Sequence, residues 1–289
     1  MHADESGGAH ERGASDAEAD PAVSGAAVSA AEEAQTDAEE ADDPTVSAAA
    51  VLERLDRVYD PELDRSVVEL EYVTDLTIDA GRVSVTFVLP TAWCSPAFAW
   101  MMATGIRDEV GELSGVDDVA VELVDHMHAA EINRGVNEAL AFEDAFYDAD
   151  DDVADVRGIL NEKVRMARQF QAFEALADAG LSPDQIVGLT PADLERNGDR
   201  IVVYVRDGSV GITVPADPIA TYLEKARSVG LAREPDEPVF ANLDGEPIEP
   251  EAFESVRLDA RVAWSNVSGQ ASICAHLHEA RNGVKLEGV

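Results

Sequence analysis

Cysteine is nearly absent from these 289 residues, Cys94 and Cys274 being the only two. Two thiols cannot build the multi-bridge framework that small secreted domains use in place of a core. With no apolar signal segment at the N-terminus, both are expected to be reduced, in a cytoplasmic protein. Lysine is scarce too: Lys163, Lys225 and Lys285 are the only three among 21 basic residues, against 59 acidic ones, for a formal net charge of -38. No run of Lys and Arg exists to neutralise phosphates, which argues against nucleic acid as a partner. No stretch approaches the roughly 18 uninterrupted apolar residues of a membrane span, so no membrane partner is expected either. A Gly-rich phosphate loop, paired catalytic carboxylates and a Ser-His-Asp order are all missing, and no enzyme activity is expected.

What the chain does have is 46% hydrophobic residues, enough for ordinary packed cores. An acidic excess with Arg preferred to Lys is the pattern of a halophilic protein, in which concentrated cations screen self-repulsion. Residues 1–44 hold almost no large apolar side chain and read as a disordered acidic tail. From there the patterning gives helix, strand, strand, helix, strand over residues 45–147, a small α+β domain. The first helix carries Val51, Leu52, Leu55, Val58 and Tyr59 and is expected to end at Asp60-Pro61. Asp79-Ala80-Gly81 marks a hairpin, and residues 131–146 read as one helix. A charged break at 148–152 separates this domain from a mixed α/β C-terminal domain, 153–289. There a long helical stripe is followed by a hairpin turning at Asp207-Gly208 and by two last helices.

The chain is organised around Pro90-Thr91-Ala92-Trp93-Cys94-Ser95-Pro96. The alternating Val83, Val85, Phe87 and Leu89 form the strand before it, and Phe98, Met101, Met102, Ile106 and Val110 the helix after it. Ser95 suits the N-cap and Pro96 the first helical position, so Cys94 lies beside the positive end of a helix dipole, where a thiolate is favoured.

Asp60-Pro61-Glu62-Leu63, Ser66-Val67-Val68-Glu69-Leu70-Glu71-Tyr72-Val73, the hairpin, and then Thr91 and Cys94 before a helix together resemble the MIP18 family (DUF59 domain) over residues 47–126. That family contains iron-sulfur cluster assembly and targeting factors and PaaD-like oxygenase maturation proteins. The sequence departs from its pattern at Glu71, where Gly is usual, and at Ser95, which intervenes between the cysteine and the proline. Thr91 to Pro96, with Asp125-His126 and Glu131-Ile132-Asn133, is similar to a subgroup associated with maturation of binuclear-iron monooxygenases. The resemblance implies a MIP18-like fold, an accessory role in assembling and delivering iron or iron-sulfur centres to an apo-metalloprotein client, and Cys94 as the ligand of a transiently bound iron or cluster. One thiolate cannot hold a cluster, so a homodimer sharing it, or a site shared with the client, follows.

Each candidate residue also has a structural reading. Cys94 could be a small buried hydrophobe. Asp60 could end a helix and Glu62 be a solvated charge, or both, with Thr91, Trp93 and Ser95, could support the thiol. Trp93 is equally a core or interface aromatic and a shield against solvent. His126, His128 and Glu131 could form an iron site, or be polar residues at a strand end. Cys274 and His278, four apart on an expected helix, could add two metal ligands. Two other readings stay open: a metal-free folding or docking factor whose patch includes Trp93 and Phe98, and a mononuclear metalloenzyme built on His126, His128 and Glu131.

Overall fold

The structure, a computed structural model, describes residues 46–147, 153–205 and 210–282. The acidic tail, the charged break at 148–152, the Asp207-Gly208 turn and the side chain of Cys274 lie outside what it describes. The fold is α+β.

Helix α1 (Ala48–Leu55) starts at Ser47, whose side chain accepts the Ala50 N–H, and buries Val51 and Leu55. It stops sooner than the apolar stripe suggests. Tyr59–Asp60 (β1) instead pairs with Arg65–Ser66 (β2), because the Asp60 carboxylate accepts the N–H groups of Glu62 and Leu63 and closes the intervening loop. Strands β3 (Val73–Asp79) and β4 (Arg82–Val88) form the expected hairpin, turning on Ala80 and Gly81 with φ of 44° and 82°. Two successive positive φ values match the right-handed twist of a two-residue hairpin.

Strand β4 buries Val83, Val85 and Phe87 completely. Its chain continues through the Cys94 turn into α2 (Pro96–Gly111) and returns as β5 (Asp118–Val124), which lies parallel to β4, giving the order β3-β4-β5. The outer edge of β5 is covered by side chains instead of a strand. Asn133 and Asn137, one turn apart on α3 (Ala129–Asn137), each accept from and donate to the backbone of β5, at Leu123 and at Val121, over 2.8–3.0 Å. Two amides thus do the work of a neighbouring strand and block edge-to-edge pairing.

The single helix expected over 131–146 is two helices, α3 and α4 (Phe142–Ala145). Ala139 has a φ of 53°, and the N–H groups of Ala139 and Leu140 reach back to the carbonyls of Val136 and Gly135. That is a left-handed helix terminus on a residue other than glycine, which periodicity cannot reveal. It lets Phe142 and Phe146 pack edge-on against Trp100 of α2.

The long helix α5 (Val153–Asp178) joins two cores. Its Val153 and Leu160 pack with the first, and Val164 through Leu176 with a second. Around the second core stand α6 (Pro183–Val187), the antiparallel sheet of β6 (Leu194–Asn197), β7 (Arg200–Val205) and β8 (Val210–Pro215), then α7 (Ala216–Ser228) and α8 (Phe253–Val267). Strand β6 carries almost no apolar alternation and forms because β7 offers it an edge. Arg165 of α5, fully buried, bonds the carbonyls of Ala241 and Asn242 and the side chains of Glu162 and Gln169, so the buried charge is paired. The last helix, α9 (Ile273–Asn282), returns to the first core, where Ala275 is buried. No helix among the described residues is long and apolar enough to cross a membrane.

Candidate functional site

The Cys94 turn is built as the sequence implies. Ser95 is the N-cap of α2 and Pro96 its first residue, but the Ser95 side chain makes no capping hydrogen bond. Proline has no N–H, and the first backbone bond of the helix runs from Ala99 N–H to Ser95 O. The start of α2 therefore keeps its positive end uncapped by a side chain, one residue after Cys94.

Two strand-end residues hold this turn from behind. The Met127 N–H donates to Ala92 O at 3.1 Å, and His126 Nε2 lies 3.0 Å from Cys94 O. His126 Nδ1 accepts the His128 N–H at 3.2 Å, which places the ring proton on Nε2 and makes it the donor to Cys94. Burial pushes the His126 pKa below its ordinary value and the neighbouring His128 adds to this, while the bond to Cys94 O opposes it. Both ring nitrogens of His126 are thus within hydrogen-bond distance of backbone partners, beside His128 and Glu131. His128 and Glu131 sit only at the edge of ion-pair distance, 4.0 Å. Among the described residues no group of three or more His, Cys, Asp and Glu is placed to hold a metal ion.

Cys94 is buried, with 8% of its surface exposed, and its N–H donates to Thr91 O. Thr91 Oγ1 accepts the Trp93 N–H at 3.2 Å, so Thr91 shapes the turn through both of its oxygens. Trp93 is not a core residue: it is 75% exposed, and Met127, bonded through its backbone to the same turn, is 52% exposed.

The acidic pair stands apart in role. Asp60 is buried, and besides the two N–H groups it accepts the Tyr72 hydroxyl at 3.0 Å. Burial raises its pKa above the ordinary value, opposed by those three bonds. Asp60 shapes the loop rather than ending a helix, and half-buried Glu62 accepts from Ser272 Oγ at 3.2 Å. His278 is likewise buried, its Nε2 is 2.7 Å from Leu70 O and its ring lies against Tyr72. Glu62 and His278, 216 positions apart in the sequence, thus both help to seat α9 on the first core.

Sequence reasoning missed Asn133 and Asn137 as edge covers, and it missed Asp64. Asp64 is buried at a φ of 50° and accepts from Arg168 of α5 at 2.7–2.8 Å and from Lys225 of α7 at 2.5 Å. The four-residue spacing of the two asparagines was a usable signal, but nothing local marks Asp64 as an ion-pair centre.

Compared with known proteins, residues 48–123 match the family described as iron-sulfur cluster assembly protein. The matched segment runs from the first residue of α1 to Leu123 of β5 and contains the whole Cys94 turn. No curated protein matches the chain.

Proposed function

We propose, from the match of residues 48–123 to the iron-sulfur cluster assembly family and their resemblance to the MIP18 family, that the protein receives iron or an iron-sulfur cluster as cargo and passes it to apo-metalloprotein clients through Cys94. The observation that carries this reading is the position of Cys94 inside the matched segment, one residue before an uncapped helix start. The backbone N–H groups of a helix start favour an anionic metal-sulfur species over a neutral one.

The donor set fits a carrier better than a store. Cys94 is the one soft ligand on the turn, and its neighbour His126 is bonded to backbone at both nitrogens. The remaining ligands of the cargo come from the donor, the client or a second copy of the chain, and release follows when they are withdrawn. Cys94 is buried in the turn, and the bonds from His126 and Met127 help to hold that turn in place. By the similarity of Thr91 to Pro96 to the corresponding subgroup, the client is a binuclear-iron monooxygenase. The composition fits work in concentrated salt, in the cytoplasm.

A second reading is favoured by one observation, the exposure of Trp93 and Met127 beside a buried thiol. In it the turn is a docking patch for the client, and no metal is carried.

One experiment separates the two. The protein is reconstituted anaerobically with iron and sulfide in concentrated potassium chloride, because the net charge of -38 needs screening. Iron, acid-labile sulfide and the visible spectrum are then measured for the wild type, Cys94→Ala and Trp93→Ala. Metal and chromophore lost in Cys94→Ala and kept in Trp93→Ala are expected. Metal retained by Cys94→Ala would remove the thiol from the proposal. A folded wild type that takes up no metal, with client capture lost in Trp93→Ala, would establish the docking reading.

A further inference from the structure

Three basic residues line a cavity of about 290 Å³ between the end of α1 with the loop that follows it, α2, α5 and α7. Arg57 comes from the turn after α1, Arg157 from α5 and Lys225 from α7, and Tyr59 lies beside them with its ring under Lys225 Nζ at 4.9 Å. Three acids line the same cavity, and each already has its partners. Asp60 accepts from two backbone N–H groups and Tyr72, Asp64 from Arg168 and Lys225, and Glu109 from Arg54.

Arg57 and Arg157 differ from them. Among the described residues neither guanidinium has an acid within ion-pair distance, and both side chains are exposed. Among the described residues Arg54, Arg65, Arg82, Arg107, Arg134, Arg165, Arg168 and Arg257 each have an acid within ion-pair distance, and Arg57 and Arg157 are among those that do not. Two without one, lining the same cavity, form a site whose charge is still to be matched.

We infer that this cleft binds a small molecule bearing oxyanion groups, carboxylate or phosphate, through Arg57 and Arg157. Guanidinium forks match either group with paired, charge-assisted hydrogen bonds. Lys225 contributes field from the wall, while its ammonium stays on Asp64. The volume lies at the small end of the range for ligand pockets, roughly 300 Å³ upward, so it suits a metabolite and not a polymer. Concentrated salt screens the net charge of -38, so it is the comparison with the Arg57 and Arg157 variants that assigns saturable anion binding to this site. The inference is independent of any metal on Cys94.

The test is isothermal titration of the full-length protein with inorganic phosphate and, separately, with citrate, at constant ionic strength in concentrated potassium chloride. Wild type is compared with Arg57→Gln/Arg157→Gln and with Arg57→Lys/Arg157→Lys, far-UV circular dichroism confirming that each is folded. Both positions are exposed, so the variants are expected to fold. Saturable binding of at least one anion, weakened about tenfold or more in the glutamine pair and partly restored in the lysine pair, is the expected result. Preference for citrate would assign a carboxylate ligand, and preference for phosphate a phosphorylated one. No saturable heat with either anion, or equal binding by the glutamine pair, would overturn the inference.

Discussion

His126 Nε2 donates to the carbonyl oxygen of Cys94 at 3.0 Å, tying the end of β5 to the residue that precedes α2. The two residues are 32 positions apart and meet because β4 and β5 run parallel and end on the same side of the sheet.

This bond makes the Cys94 turn sensitive to pH. His126 is buried and its folded pKa is lowered, so the unfolded chain binds the proton more tightly. Its contribution to stability is then full above the unfolded value near 6.5 and is lost as pH falls through the folded pKa. Urea unfolding in concentrated potassium chloride should show wild-type stability falling below that pH more steeply than in His126→Gln. Above pH 7 the variant should be about 1–2 kcal/mol less stable, for the loss of buried hydrogen bonds. Parallel pH profiles for the two proteins would mean that His126 does not titrate against the fold.

Glu71 occupies a backbone position that glycine fits better. Its φ is 53° and its side chain is exposed, between the Leu70 carbonyl that meets His278 and the Tyr72 hydroxyl that meets Asp60. Since the left-handed region costs a residue with a Cβ about 1–2 kcal/mol, Glu71→Gly is expected to raise stability by about 1 kcal/mol, net of the extra freedom of glycine when unfolded. A decrease in the urea midpoint would show that the carboxylate makes up for the strain.

Asp64 ties the loop between β1 and β2 to α5 and α7 by charge. It is buried, while the Arg168 and Lys225 side chains that meet it are 15% and 26% exposed. Asp64→Asn should cost about 2 kcal/mol, less than the roughly 3–5 of a fully enclosed pair, because water reaches both bases once the acid is gone. Asp64→Ala should cost about 1 kcal/mol more, since asparagine tolerates a φ of 50° and alanine does not. If added salt weakens the wild type and leaves Asp64→Asn unchanged, the pair is screened like a surface contact and the contact of this loop with α5 and α7 rests on packing instead.

The sequence by itself determined what local sterics and periodicity control. The alternation through Val83, Val85 and Phe87 specified β4, Ala80-Gly81 specified the hairpin turn, and Ser95-Pro96 specified where α2 begins. The Cys94 turn was legible for the same reason, since its strand, turn and helix are contiguous, and the family match falls on that contiguous stretch. Tertiary structure alone decided the rest. That Cys94 is buried and Trp93 exposed, that His126 meets Cys94 O, and that Asn133 and Asn137 close the edge of β5 depend on pairings between distant segments. So do the return of His278 to Leu70 and the convergence of Arg57, Arg157 and Lys225 on one cavity. A hydrogen bond or an ion pair between such segments leaves no periodic trace in the chain, because its geometry exists only once both cores have packed.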